Sequence, residues 1–245
     1  MNSFHSETLA YFIYGMGGGA TYWLIMLGGV ALSMLASWKV SSAYKRYSQV
    51  QARSGITGAQ IAQRIMDLNG IHDVSIMSTR GHLTDHYDPT RKCLVLSEEN
   101  YHGTNVAALG VAAHEAGHAI QHKQLYAPLQ WRMAAVGITT MAGQAIPIIG
   151  IIGYMIAPKL ALPLLVAAFG IVMLFQLVTL PVEFDATARA KKHLIGTGAV
   201  AQGDEFRSMS KVLDAAALTY VAAFLSSLAT FLFFLLRMLG GSRDE

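Results

Sequence analysis

Met133 to Val182 reads MAAVGITTMAGQAIPIIGIIGYMIAPKLALPLLVAAFGIVMLFQLVTLPV, a stretch in which Lys159 is the single charge. A helix rising about 1.5 Å per residue needs roughly 20 apolar residues to cross a bilayer. The stretch therefore holds two crossings, 133–158 and 160–182, joined by a tight hairpin at Lys159. Two further windows, Thr8–Trp38 and Ala215–Leu236, also lack Asp, Glu, Lys and Arg. Four such windows in 245 residues leave too little polar surface to bury them in a soluble fold. Composition agrees: 53% of residues are hydrophobic and 13% charged, against about 25% charged in soluble domains. Apolar content this high also excludes a disordered chain.

Two polar segments, 39–132 and 183–214, carry 15 of the 18 Lys and Arg residues. Lys39, Lys45 and Arg46 directly follow the first window. Positive loops stay cytosolic, so both segments are expected in the cytosol, with the N-terminus, Lys159 and the C-terminal tail outside. Arg237 and Arg243 on that tail run against the rule. No Lys or Arg precedes Lys39, so the first window lacks a signal peptide's basic start and reads as a retained anchor. Gly17–Gly19 reads as a frayed helix start. Cys93 has no possible internal partner, in keeping with a reducing compartment, and its apolar run marks it as a core residue. A net charge of +3 without a basic stripe argues against a nucleic-acid partner; the lipid bilayer, with its anionic head groups, is the expected one.

Within the first polar segment Ile61, Ile65 and Leu68 recur at helical spacing, which predicts a helix from Thr57 to the stop at Asn69–Gly70. Short β-like runs follow at Asp73–Met77 and Lys92–Leu96, with turn residues Arg80–Gly81 and Asp88–Pro89 between them. The second run could offer an edge to an extended peptide. A further helix is expected from Thr104 or Asn105 to His122, apolar over about ten residues and so too short to span. The expected fold is a mainly α membrane protein with four transmembrane helices (8–38, 133–158, 160–182 and 215–236). A small cytosolic α+β zincin-like domain is formed by 39–132, with its helix at 104–122, and completed by a second cytosolic part, 183–214.

On that short helix, residues 114–118 read His-Glu-Ala-Gly-His. Residues four apart share a helix face, so His114 and His118 can reach one Zn²⁺ at about 2.0–2.1 Å. Glu115 points roughly 100° away from them. There it can take a proton from zinc-activated water and pass it to a leaving amine. The small Ala113, Ala116 and Gly117 are expected to leave room at the metal. Catalytic zinc normally has a third protein ligand. His122 lies about 12 Å along the axis from His114 and reads as an outer residue. The best-placed candidates are Glu183 and Asp185, which lie about 200° apart on a helix and cannot both face one ion. Pro181 suggests a new helix beginning just before them, where both acids could instead complement its dipole.

The chain resembles the bacterial membrane-bound neutral zinc metallopeptidases (the YugP-like family), relatives of the HtpX and CaaX-protease type of gluzincin. The resemblance covers most of residues 39–236. It rests on Leu83-Thr84-Asp85-His86-Tyr87-Asp88-Pro89, Leu96-Ser97, the 114–122 motif, Leu180-Pro181-Val182-Glu183-Phe184-Asp185-Ala186 and Ala215-Ala216-Ala217-Leu218-Thr219-Tyr220. It implies His114, His118 and Glu183 as zinc ligands and Glu115 as the catalytic residue. Wider relatives often carry an Asp four residues after the ligand Glu; Thr187 stands there, which leaves the partner of His114 open. Asp85, His86, His122, Asp185 and Tyr220 are candidates for the outer shell or the substrate rim, Tyr220 as a hydrogen-bond donor to the transition state.

The expected function is a zinc endopeptidase of the bacterial inner membrane, multi-pass, with its active site on the cytosolic side and protein or peptide substrates near the bilayer. An intramembrane site-2-type protease also uses this motif, but it would need a spanning helix there and a later Leu-Asp-Gly, whereas Leu213–Asp214 is followed by Ala. A non-catalytic zinc-bearing membrane scaffold would not need the carboxyl of Glu115.

Overall fold

The computed structural model describes residues 19–241; Thr8–Gly18 of the first apolar window, with Gly17 and Gly18, and Arg243 lie outside the described residues. In chain order the elements are α1 (Ala20–Tyr47), α2 (Gly58–Leu68), β1 (Ser75–Thr79), β2 (His86–Asp88), β3 (Cys93–Ser97), α3 (Glu98–His102) and α4 (Val106–Lys123). They are followed by α5 (Ala127–Ile156), α6 (Pro158–Gly196) and α7 (Asp204–Gly241).

α1, α5, α6 and α7 are long and apolar enough to cross a membrane, and their most apolar stretches are 6, 6, 22 and 17% buried within the protein. Trp23, Leu27, Met34, Ile138, Met141 and Leu164 are among the exposed large side chains. So much uncovered apolar surface needs an apolar solvent, and the chain is a membrane protein. Pro147 supplies no N–H to the ladder of α5, and Ile149–Gly153, just beyond it, is π-helical. α5 stops at Ala157 (φ −143°, ψ 66°), because Pro158 disfavours helical backbone in the residue before it.

The chain divides into two compact units. Among the described residues, one unit comprises 19–34, 132–178 and 221–241. Leu165, Val166 and Phe234 form its apolar centre, with the Phe169 ring stacked on Phe234 at 5.0 Å.

The other unit, Leu35–Trp131 with Thr179–Tyr220, holds the sheet, ordered β1-β3-β2. β3 runs parallel to β1 (Ile76 beside Leu94) and antiparallel to β2 (His86 opposite Val95). Cys93–Val95 therefore has a strand on each side, which corrects, for those residues, the expectation that the run Lys92–Leu96 could receive a substrate strand. Leu94 and Leu96 are fully buried against Ile61, Ile65 and Leu109, at about 1.5–3 kcal/mol for each such side chain. α2 begins with a reciprocal cap: Gln60 N donates to Thr57 Oγ1 (3.2 Å) and Thr57 N donates to Gln60 Oε1 (2.8 Å). α4 begins at Asn105, whose Oδ1 accepts from Ala108 N at 2.9 Å, satisfying one of the free amides of the first turn.

α6 is one helix of 39 residues, with Pro181 inside it, so no new helix starts there. An internal proline costs about 3 kcal/mol. Val182, Ala186, Ala190 and Leu194 recur every four residues and are all buried, and that apolar stripe outweighs the break. Neither Glu183 nor Asp185 lies at a helix N-terminus, so the dipole explanation for them falls.

Candidate metal centre

α4 carries His114 and His118 one turn apart, with ring centroids 4.8 Å apart and nearly perpendicular. α6 brings Glu183 against both: its Oε2 lies 3.2 Å from His114 Nε2 and 3.6 Å from His118 Nε2. Ligand-capable atoms of all three residues lie within 4.8 Å of one another. Ligands about 2.0–2.1 Å from one tetrahedral ion stand roughly 3.3 Å apart, so the spacing suits a small divalent cation. Burial agrees, since Glu183 is 2% exposed and a carboxylate leaves water only when paired or bound to metal.

The close approach of the two helices depends on Gly117. A Cβ there would sit 2.9 Å from Ala186 O and 3.2 Å from Ala186 Cα. Its room serves α6, not the metal, which corrects the sequence reading. Ala113 and Ala116 are fully buried in the core cluster.

A second layer of hydrogen bonds sets the imidazoles. Gln121 Nε2 donates to Val182 O (2.8 Å) and Asp185 Oδ2 (2.7 Å), so its amide oxygen must be the atom facing His118 Nδ1 at 3.0 Å. A carbonyl oxygen accepts only, hence Nδ1 carries a hydrogen, and a neutral His118 has its Nε2 lone pair facing inward, the arrangement that ligation requires. Asp185 is in turn held by Arg189 Nε. It reaches His118 through Gln121 and is not a partner of His114; Thr187 Oγ1 lies 3.3 Å from His114 Nδ1. Burial alone would lower the His118 imidazole, but the facing Glu183 carboxylate outweighs it and the net shift is upward. Burial pushes the Glu115 carboxyl above the usual carboxylate range, with His114 and His118 pulling it back.

His114 and Glu115 line a cavity of about 240 Å³ whose wall also includes Asp85 and Tyr220. Two expected outer residues lie elsewhere. His86 is exposed, with Nδ1 2.9 Å from Thr84 O. His122 Nδ1 meets the Tyr87 hydroxyl at 2.8 Å in a separate cavity with Asp73 and Lys92. Among the described residues α4 is not one of the candidate membrane spans, and Asp214, bonded to Lys191 at 2.6 Å, is not part of the metal-capable group.

Residues 22–239 match the family described as "Putative neutral zinc metallopeptidase", and the chain belongs to that family. It is 42% identical over 221 residues to "Putative membrane protease YugP" of Bacillus subtilis (strain 168), covering 90% of this chain and 97% of that relative. No solved structure matches the chain. Family and relative together support a membrane protease role.

Proposed function

We propose that this protein is a zinc-dependent endopeptidase of the bacterial inner membrane, facing the cytosol, that hydrolyses proteins held in or beside the bilayer. The observation that supports it most is the convergence of His114, His118 and Glu183 next to the buried carboxyl of Glu115. Those three side chains would hold the ion. Zinc bound there supplies Lewis acidity, polarising a carbonyl and making water acidic enough to lose a proton near neutral pH. Glu115 accepts that proton and returns it to the departing amine nitrogen; its upward-shifted carboxyl suits a group that must do both. Gln121 and Thr187 hold the two imidazoles in register. Tyr220, on the same cavity, offers a phenol to the carbonyl oxygen as charge builds. The test is peptide hydrolysis by the purified, detergent-solubilised protein. Stripping zinc to undetectable levels should stop turnover, and restoring zinc should recover it. Undiminished turnover in the stripped protein would contradict the reading.

The orientation rests on the positive charges of 39–132 and 183–214. In a Cys93→Ser background, Lys45→Cys should resist an impermeant thiol reagent in intact cells, whereas Lys159→Cys should react. Labelling at position 45 alone would mean the opposite orientation.

A further inference from the structure

The cavity beside His114 and Glu115 has walls of two kinds. Its polar members away from the metal-capable group are largely engaged within the protein. Both carboxylate oxygens of Asp85 accept hydrogen bonds, from Ser97 N (2.8 Å), Ser97 Oγ (3.2 Å) and Asn100 Nδ2 (2.9 Å). Tyr44 donates to Asn100 Oδ1 at 2.7 Å. Apart from Thr219 and Tyr220, the remaining lining is aliphatic, chiefly Leu83, Val111, Val212, Leu213, Ala216 and Ala217.

Helical spacing explains how these residues meet. Val111 precedes Glu115 by four residues on α4 and so shares its face. On α7 the lining recurs as Val212–Leu213, Ala216–Ala217 and Thr219–Tyr220, one stripe at a spacing of three to four. Gly110 brings α7 close, because a Cβ there would lie 3.2 Å from Met209 Cγ. Leu83 packs with the cluster of Tyr44, Ala107 and Val212. It does so at φ 53°, a left-handed conformation that a leucine adopts only when its surroundings impose it.

Pockets for whole small molecules run to about 300–1,000 Å³. A cavity of about 240 Å³ falls below that range and has room for one side chain of a bound peptide. We propose that it is the subsite for one uncharged aliphatic side chain of the substrate, on a residue flanking the scissile bond, and that Ala216 and Val111 set the length it accepts. This rests on the peptidase reading above. An acidic side chain is excluded because it would be desolvated beside the carboxylates of Asp85 and Glu115, and the aliphatic majority of the lining favours an apolar side chain over a basic one.

The test is the cleavage profile of the zinc-loaded wild-type protein, Ala216→Leu and Val111→Ala on a proteome-derived peptide library, with zinc content and thermal unfolding measured alongside. One methylene is worth roughly 10–200-fold in discrimination at an apolar pocket. The wild type should favour Leu, Ile, Met or Val at one position flanking the cut. Ala216→Leu should shift that preference towards Ala or Gly by at least about tenfold, and Val111→Ala should shift it towards Phe by a similar factor. The two shifts are opposite in sign, which general damage cannot imitate. Unchanged profiles in both folded variants, or a wild-type preference for Lys, Arg, Asp or Glu at that position, would overturn the assignment while leaving the peptidase reading intact. A zinc-loaded wild type that cleaves no peptide would overturn that reading and this one with it.

Discussion

Glu115→Gln is expected to retain about one zinc ion per chain and to lose roughly 10²–10⁴-fold in kcat/KM for peptide hydrolysis. The two halves of this result have separate causes. Zinc retention follows from geometry, since the convergent atoms belong to His114, His118 and Glu183 and not to Glu115. Glutamine keeps the shape of glutamate, so the buried packing of α4 around position 115 is undisturbed. Loss of activity follows from chemistry, because an amide cannot take up a proton near neutral pH and pass it on. Metal analysis and steady-state kinetics on the same preparation check both halves. Undiminished hydrolysis would remove Glu115 from the mechanism, and loss of zinc would make it a ligand.

What could be read from the residues was local, and what could not was tertiary. Thr57 with Gln60, Asn105 and Asn69–Gly70 are boundary signals carried by neighbouring residues; α2 begins and ends, and α4 begins, beside them. The four apolar helices follow from composition alone. Pro181 gives an equally local signal to stop, yet α6 runs through it, because the buried face formed by Val182, Ala186, Ala190 and Leu194 decides the matter from another part of the chain. β2 is too short to show an alternating pattern, and with it went the recognition that β3 is central. At the site, the histidine pair is a spacing within one helix and therefore legible. The roles of Gln121, Thr187 and Gly117 depend on which face α6 presents to α4, which no single segment encodes. Gln121 left one faint trace: it follows His118 by three residues, on the same helical face.

The second large effect is expected at Glu183. Glu183→Ala removes the oxygen that lies 3.2 and 3.6 Å from the two Nε2 atoms, leaving two imidazoles and no carboxylate. Outer-layer substitutions at metal sites typically cost about 10–100-fold in affinity, and loss of a ligand should exceed that, so the purified variant should hold almost no zinc. Asp185, two residues away, makes the opposite case. Its Oδ2 is engaged 2.7 Å from Gln121 Nε2 and by Arg189, facing the back of His118 and not its inward nitrogen. Asp185→Ala should therefore weaken zinc binding by no more than about 10–100-fold. Asp185→Asn, whose amide oxygen can still accept from Gln121, should recover most of that loss. The contrast separates a ligand from a residue acting through Gln121 by a readout independent of turnover, namely the zinc dissociation constant from competition with a chelator. If Glu183→Ala binds zinc like the parent while Asp185→Ala loses it, the ligand is Asp185, and α6 must turn by about half a revolution from the face it shows here.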